Sequence, residues 1–94
     1  MSLMPQRSGG REVTLGELMD RYRPGLACET SAVRRSWEEM FTFTLRHYTR
    51  ETPMVTFDPD FLSRRLILAG LHHLIVAGYV IRWRHMLSMA HEHN

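Results

Sequence analysis

The sequence predicts an all-α fold, a compact bundle of four or five helices. Three observations carry this. Helix-start signatures occur at Thr14, at Thr30-Ser31 and at Asp58-Pro59, and apolar residues recur at helical spacing after each of them. No apolar–polar alternation is long enough for a sheet strand, Met54-Val55-Thr56-Phe57 being too short. The 94 residues, 44% hydrophobic and 23% charged, suffice for one folded domain over residues 13–94. Residues 1–12, with Ser8, Gly9 and Gly10, read as a flexible leader, part of which fits a cloning remnant.

The first helix opens with a capping box, in which the Thr14 hydroxyl and the Glu17 carboxylate close backbone donors reciprocally, and Val13 and Leu18 can form the accompanying staple. It should run to about Tyr22 and stop at Arg23, because Pro24 disfavours helical geometry in the residue before it and Gly25 follows. Its inner face is Leu15, Leu18, Met19 and Tyr22. The second helix starts at Thr30 or Ser31 and is expected to continue until just before Pro53. Val33, Trp37, Met40, Phe41, Leu45 and Tyr48 mark its apolar face, with Arg34, Arg35, Glu38, Glu39, Thr42 and Arg46 largely opposite.

The third helix has Asp58 as cap and Pro59 at its first position, with Phe57 and Leu62 as staple. Phe61, Leu62 and Leu66, with Leu68 or Ala69, form its buried stripe, Arg64 and Arg65 point outward, and Gly70 is the stop. The last helix begins near residue 76 or 78 and ends near 91, with Val80, Trp83, Leu87 and Ala90 inside and Arg82, Arg84, His85 and Ser88 over much of the rest. Residues 71–77 offer no good cap, so one helix continuous from the third through the fourth is the alternative.

Several function classes are excluded. The single cysteine, Cys28, allows no internal disulfide and fits a reducing compartment. No apolar run approaches the roughly 20 residues of a membrane span. The longest candidate, residues 66–81, is broken by Gly70, His72, His73 and Gly78. Nor is there the apolar core of a signal peptide, so the expected location is cytoplasmic, without membrane association. His72-His73 and His91-x-His93 do not share helix faces, and His47 with Glu51 gives only two ligands, so neither metal nor cofactor is expected. Cys28 reads as an ordinary, partly buried cysteine, and Gly9-Gly10 is no phosphate loop. No acid, base and nucleophile set can be assembled. Tyr22, Tyr48 and Tyr79 read as packing residues, as do Trp37 and Trp83.

Charge is distributed unevenly. The net charge is only +2, but residues 61–94 carry four Arg against one acid, Glu92, and five of the six His. All twelve basic residues are Arg, whose planar fork grips phosphate, although GC-rich coding gives the same bias. Arg34 and Arg35 fall in the first turns of the second helix, Arg82 and Arg84 early in the fourth. Phosphates are drawn to guanidinium groups and to helix N-termini, so these four are the candidate DNA-binding residues. If the two helices lie side by side, the four could line one surface. The competing reading pairs Arg34 and Arg35 with Glu38 and Glu39 at helical spacing, and Arg64 with Asp60.

The order of elements resembles the N-terminal core-binding (SAM-like) domain of the phage integrase, or tyrosine recombinase, family. The resemblance rests on the capped Thr14-Leu15-Gly16-Glu17-Leu18 opening, on Ser31-Ala32-Val33-Arg34-Arg35-Ser36-Trp37, on Val55-Thr56-Phe57-Asp58-Pro59, and on Tyr79-Val80-Ile81-Arg82-Trp83 with its run to Ala90. It covers about residues 13–94, through helix patterns rather than an invariant signature. Tyr79 and Ile81 stand where the family commonly has Thr and Asn, and Val76-Ala77 replaces the usual Ser-Pro, so of these positions only Arg82 is carried over. The resemblance implies that the domain clamps double-stranded DNA together with a catalytic domain of the same parent chain. It also implies a bacterial or prophage-encoded parent that integrates and recombines DNA as an oligomer, with no catalysis by this domain alone. Two other readings remain open. One is a helical protein–protein interaction module using Phe43, Ile67, Ile81 and Met86 or Met89; the other is a helix-turn-helix regulator.

Overall fold

The computed structural model describes residues 12–92. It contains α1 (Leu15–Leu26), α2 (Ser31–Thr44), a 3₁₀ turn (Met54–Thr56), α3 (Pro59–Leu68) and α4 (His73–Glu92). An isolated antiparallel bridge joins Thr14 to Pro53, and there is no strand among the described residues. The fold class is all-α, as the sequence predicts. The expected leader lies outside the described residues except for Glu12, as do Gly9-Gly10 and His93.

α1 begins as its capping box dictates. The Thr14 hydroxyl accepts from the Glu17 N–H at 3.2 Å, and the Glu17 carboxylate accepts from the Thr14 N–H at 3.2 Å. It does not stop at Arg23. Pro24 sits inside the helix with its ring in solvent, and the chain keeps turning until Leu26 reaches the core. The two remaining orphan donors of the first turn find partners in a distant loop, Leu15 N–H on the Thr52 carbonyl and Gly16 N–H on the Arg50 carbonyl, both at 2.9 Å. That approach requires glycine, since a Cβ on Gly16 would stand 2.9 Å from the Arg50 Cβ.

α2 is capped by Thr30, whose hydroxyl accepts from Val33 N–H. It ends at Thr44, well short of the expected limit near Pro53. Residues 45–52 form turns instead, so His47 and Glu51 do not share a helix face. Those turns supply the carbonyls that α1 uses, and Met54 N–H closes the loop on the Val13 carbonyl at 2.8 Å. The apolar face of α2 is deepest at Met40 and Phe41, whereas Val33 is exposed. Cys28, in the α1–α2 connection, is exposed rather than partly buried, because that connection lies on the surface.

α3 starts at Pro59 with the Asp58 side chain accepting from Asp60 N–H, and buries Leu62 and Leu66. Phe61, Leu68 and Ala69, expected inside, are exposed: a ten-residue helix packed on one neighbour needs only a narrow stripe. Gly70, at φ 101°, separates α3 from α4, so the two are not continuous. α4 starts earlier than expected, because the ring Nδ1 of His72 accepts from Leu74 N–H at 3.1 Å. Its buried face is Val76, Tyr79, Trp83, Met86 and Ala90, leaving Val80 and Leu87 half-buried. Met86 is therefore core, not an exposed patch residue.

Trp83 is the centre of that core. Its ring meets Phe57 edge-on at 4.8 Å and Phe41 at 6.1 Å, and its indole N–H donates to the Thr44 hydroxyl at 3.0 Å. The Thr44 hydroxyl in turn donates to the Met40 carbonyl at 2.8 Å. Thr44 is fully buried, so the indole has no access to water as an alternative acceptor. Replacing Thr44 by Val keeps the shape and orphans the indole N–H. Urea unfolding should show a loss of about 1–3 kcal/mol for Thr44→Val, with Thr44→Ser retaining most of the bond. Equal stability of Thr44→Val and wild type would show that the bond contributes nothing.

Candidate nucleic-acid interface

The four candidate arginines do not converge on one surface. Arg34 is exposed on the first turn of α2, and its Nη1 donates to the Glu29 carbonyl just before the helix. Arg35, also exposed, makes no ion pair among the described residues. Arg82 reaches from α4 to the same region: its guanidinium lies 4.8 Å from the centre of the Trp37 ring and 5.9 Å from that of Tyr79. Trp37 stands three residues after Arg34, on the same helix face. Arg84 points the other way, to α3, where it holds Asp60 at 2.6 Å. Alternate sides are unavoidable, since Arg82 and Arg84 flank the inward-facing Trp83.

None of the three expected helical pairings, Arg34–Glu38, Arg35–Glu39 and Arg64–Asp60, forms among the described residues. The Glu38 carboxylate is taken by Arg23 of α1, with Nε at 3.0 Å and Nη2 at 3.2 Å, and not by Arg34. Asp60 is taken by Arg84, and not by Arg64. Sequence spacing alone could not reveal these longer-range partners.

The mount of Arg82 is built from aromatic rings. Tyr22 of α1 stacks on Trp37 at 5.7 Å with 21° between the planes, and the Arg82 guanidinium covers Trp37. The stack joins α1, α2 and α4 and holds a charge over a π face, an arrangement worth about 0.5–2 kcal/mol. Arg82 Nη1 is buried without a hydrogen-bond partner. Trp37 packs against the core, meeting Phe41 at 6.1 Å, but stays half-buried, so its outer surface serves as the platform for Arg82. Burial first, and the charge of Glu39 second, push the Tyr79 phenol above its ordinary range, with Arg82 opposing. Burial also raises the phenol of Tyr22.

Other basic side chains have partners within the fold. Arg50 holds Asp20 at 2.6 Å, and Arg23 bridges Asp20 at 3.1 Å and Glu38. Arg46 lies over Phe43 at 4.8 Å and Arg65 over Phe61 at 5.9 Å. His72 and His73 stack on each other at 4.5 Å. Among the described residues no three His, Cys, Asp or Glu side chains gather where a metal could bind, and no helix is long and apolar enough to cross a membrane.

No protein-family model, curated protein or solved structure matches the chain.

The Asp20 network has a pH signature. The hydrogen bond from Arg50, aided by the charges of Arg50 and Arg23, holds the Asp20 carboxyl below its ordinary range. A depressed folded-state value means that its contribution is complete above the unfolded carboxylate range and is lost as pH falls through the folded value. Wild type should therefore exceed Asp20→Asn in stability at neutral pH, with the gap closing as the medium becomes strongly acid. A gap that stays constant across that titration would contradict ion pairing as its source.

Proposed function

We propose that this domain binds duplex DNA through phosphate contacts, as the core-binding part of a tyrosine recombinase whose catalytic domain belongs to the same parent chain. On this reading the parent acts in the cytoplasm of a bacterium, or from a prophage, and assembles as an oligomer on DNA. The observation that carries the reading is the charge at the start of α2. The first turn holds no acid, Arg34 and Arg35 are exposed, and Glu38 one turn on is already occupied by Arg23. Helix N-terminal donors and exposed guanidinium groups together suit a phosphate. Arg82, braced on Trp37, supports the same side of the molecule from α4. Arg84, tied to Asp60 on the opposite flank, is assigned no phosphate in this reading.

A fluorescence-anisotropy titration of a duplex of about 30 base pairs tests this. Each phosphate contact contributes about −0.9 to the slope of log affinity against log salt, so three contacts give roughly −3. Arg34→Ala with Arg35→Ala should weaken binding and flatten the slope by about 2, while Arg84→Ala should change neither by much. Absence of binding at low salt, or an effect of Arg84→Ala equal to that of the α2 pair, would overturn the proposal.

A further inference from the structure

From residue 61 to residue 91 the chain contains no Asp or Glu, but four Arg and four His. The same stretch exposes large aliphatic side chains that a closed bundle would cover. Leu68 is 80% exposed, Leu74 and Ile81 68% each, and Ile67 49%. Leu74, Ala77 and Ile81 follow one another at three and four residues along α4, so they form one stripe. Beside that stripe, α3 and α4 enclose a groove of about 390 Å³, with Ile67, Ala77, Val80 and Ile81 on its walls, Asp60 at one end and His73 at the other. Contiguous apolar surface of this kind on a small domain marks an interaction site.

The charge around the groove is one-sided. Arg64, one turn before Ile67, and Arg84 and His85, one turn after Ile81, are all exposed. The one acid lining the groove, Asp60, is already held by Arg84 at 2.6 Å. The groove thus offers an apolar trench with Arg64 and Arg84 at its rim and its one acid already in an ion pair.

We infer that the α3–α4 groove docks an amphipathic helix of a partner protein, one that presents aliphatic residues at helical spacing with Glu and Asp on their flanks. A ridge of Leu, Ile or Val side chains fills a trench between two helices, and flanking carboxylates answer Arg64, His73 and His85. A bilayer surface matches the charge but is too flat to fill the trench. Nucleic acid matches the charge but brings no aliphatic ridge. The surface is separate from the start of α2, so the inference stands apart from DNA binding.

The test uses the intact chain and a labelled acidic peptide of about 18 residues, with Leu at successive i, i+3, i+4 and i+7 positions and Glu on either side. Anisotropy should show saturable binding, weakened about tenfold or more by Ile81→Asp and by Arg64→Glu, with circular dichroism confirming that both variants stay folded. A peptide carrying Lys in place of Glu should bind about tenfold or more weaker. Arg34→Ala with Arg35→Ala should leave peptide binding unchanged, which separates a failure here from a failure of the DNA reading. No saturable binding, or equal binding of the Lys peptide, overturns the inference. So does Ile81-dependent capture by phosphatidylglycerol vesicles without peptide binding, which would make the surface a membrane contact.

Discussion

The hydrogen bond from the Trp83 indole to the buried Thr44 hydroxyl is the constraint from which the rest of the arrangement follows. An indole N–H taken out of water needs an acceptor, and here it lies at the end of α2, with its own proton committed to the Met40 carbonyl. That chain of donors and acceptors has one register, so α4 is fixed along its axis relative to α2. The helix ends where Thr44 turns its side chain inward, and the following turns bring Phe57 back over the same indole ring. Those turns lie on the start of α1, where Leu15 and Gly16 use the carbonyls of Thr52 and Arg50. One aromatic side chain thus ties α2 and α4 to the longest connection, which in turn holds the start of α1.

The same constraint sorts the charges. With Trp83 inside, its neighbours must leave on opposite flanks, Arg82 to the Tyr22–Trp37 stack and Arg84 to Asp60. Acids of α1 and α2 are consumed by Arg23 and Arg50, which link elements that the backbone alone would leave loosely joined. Exposed pairs of this kind add little stability and are screened by salt. Their larger consequence is subtraction: with Glu38 engaged by Arg23 and Asp60 by Arg84, the exposed guanidinium groups of Arg34, Arg35 and Arg64 make no ion pair among the described residues. A small net charge conceals that division.

Much of the fold is legible in local chemistry. Thr14 with Glu17, Thr30, Asp58 with Pro59, and Gly70 mark boundaries through hydrogen bonds within a few residues, and all four act as their spacing implies. What fails locally is decided by tertiary contact. Pro24 does not end α1, because Leu26 gains burial by continuing the helix. The span 45–52 has helical spacing at Leu45 and Tyr48, yet becomes turns, because its carbonyls satisfy α1. The inner face of α4 is ambiguous in sequence, since aliphatic residues surround its first turns; the seats of Tyr79 and Trp83 decide it. Arg34 and Arg35 were identifiable as helix-start cations, whereas Arg82 and Arg84, expected early in the last helix, lie at its middle because α4 already begins at His73. The ion pairs were not identifiable, because Arg23–Glu38 and Arg84–Asp60 join residues far apart in the chain. His72 as a cap lies outside the usual Ser, Thr, Asp and Asn set.

The phosphate-binding side proposed above is the start of α2 together with the Trp37-braced Arg82. Amide and guanidinium NMR shifts recorded while a short duplex is titrated into the labelled chain test it most directly. The largest changes are expected at Ser31, Ala32, Arg34, Arg35 and the Arg82 side chain, with Ile67, Ala77 and Ile81 nearly still. Changes centred on Arg64, His73 and Ile81, with the start of α2 silent, would place the phosphate contacts on the other face and contradict it.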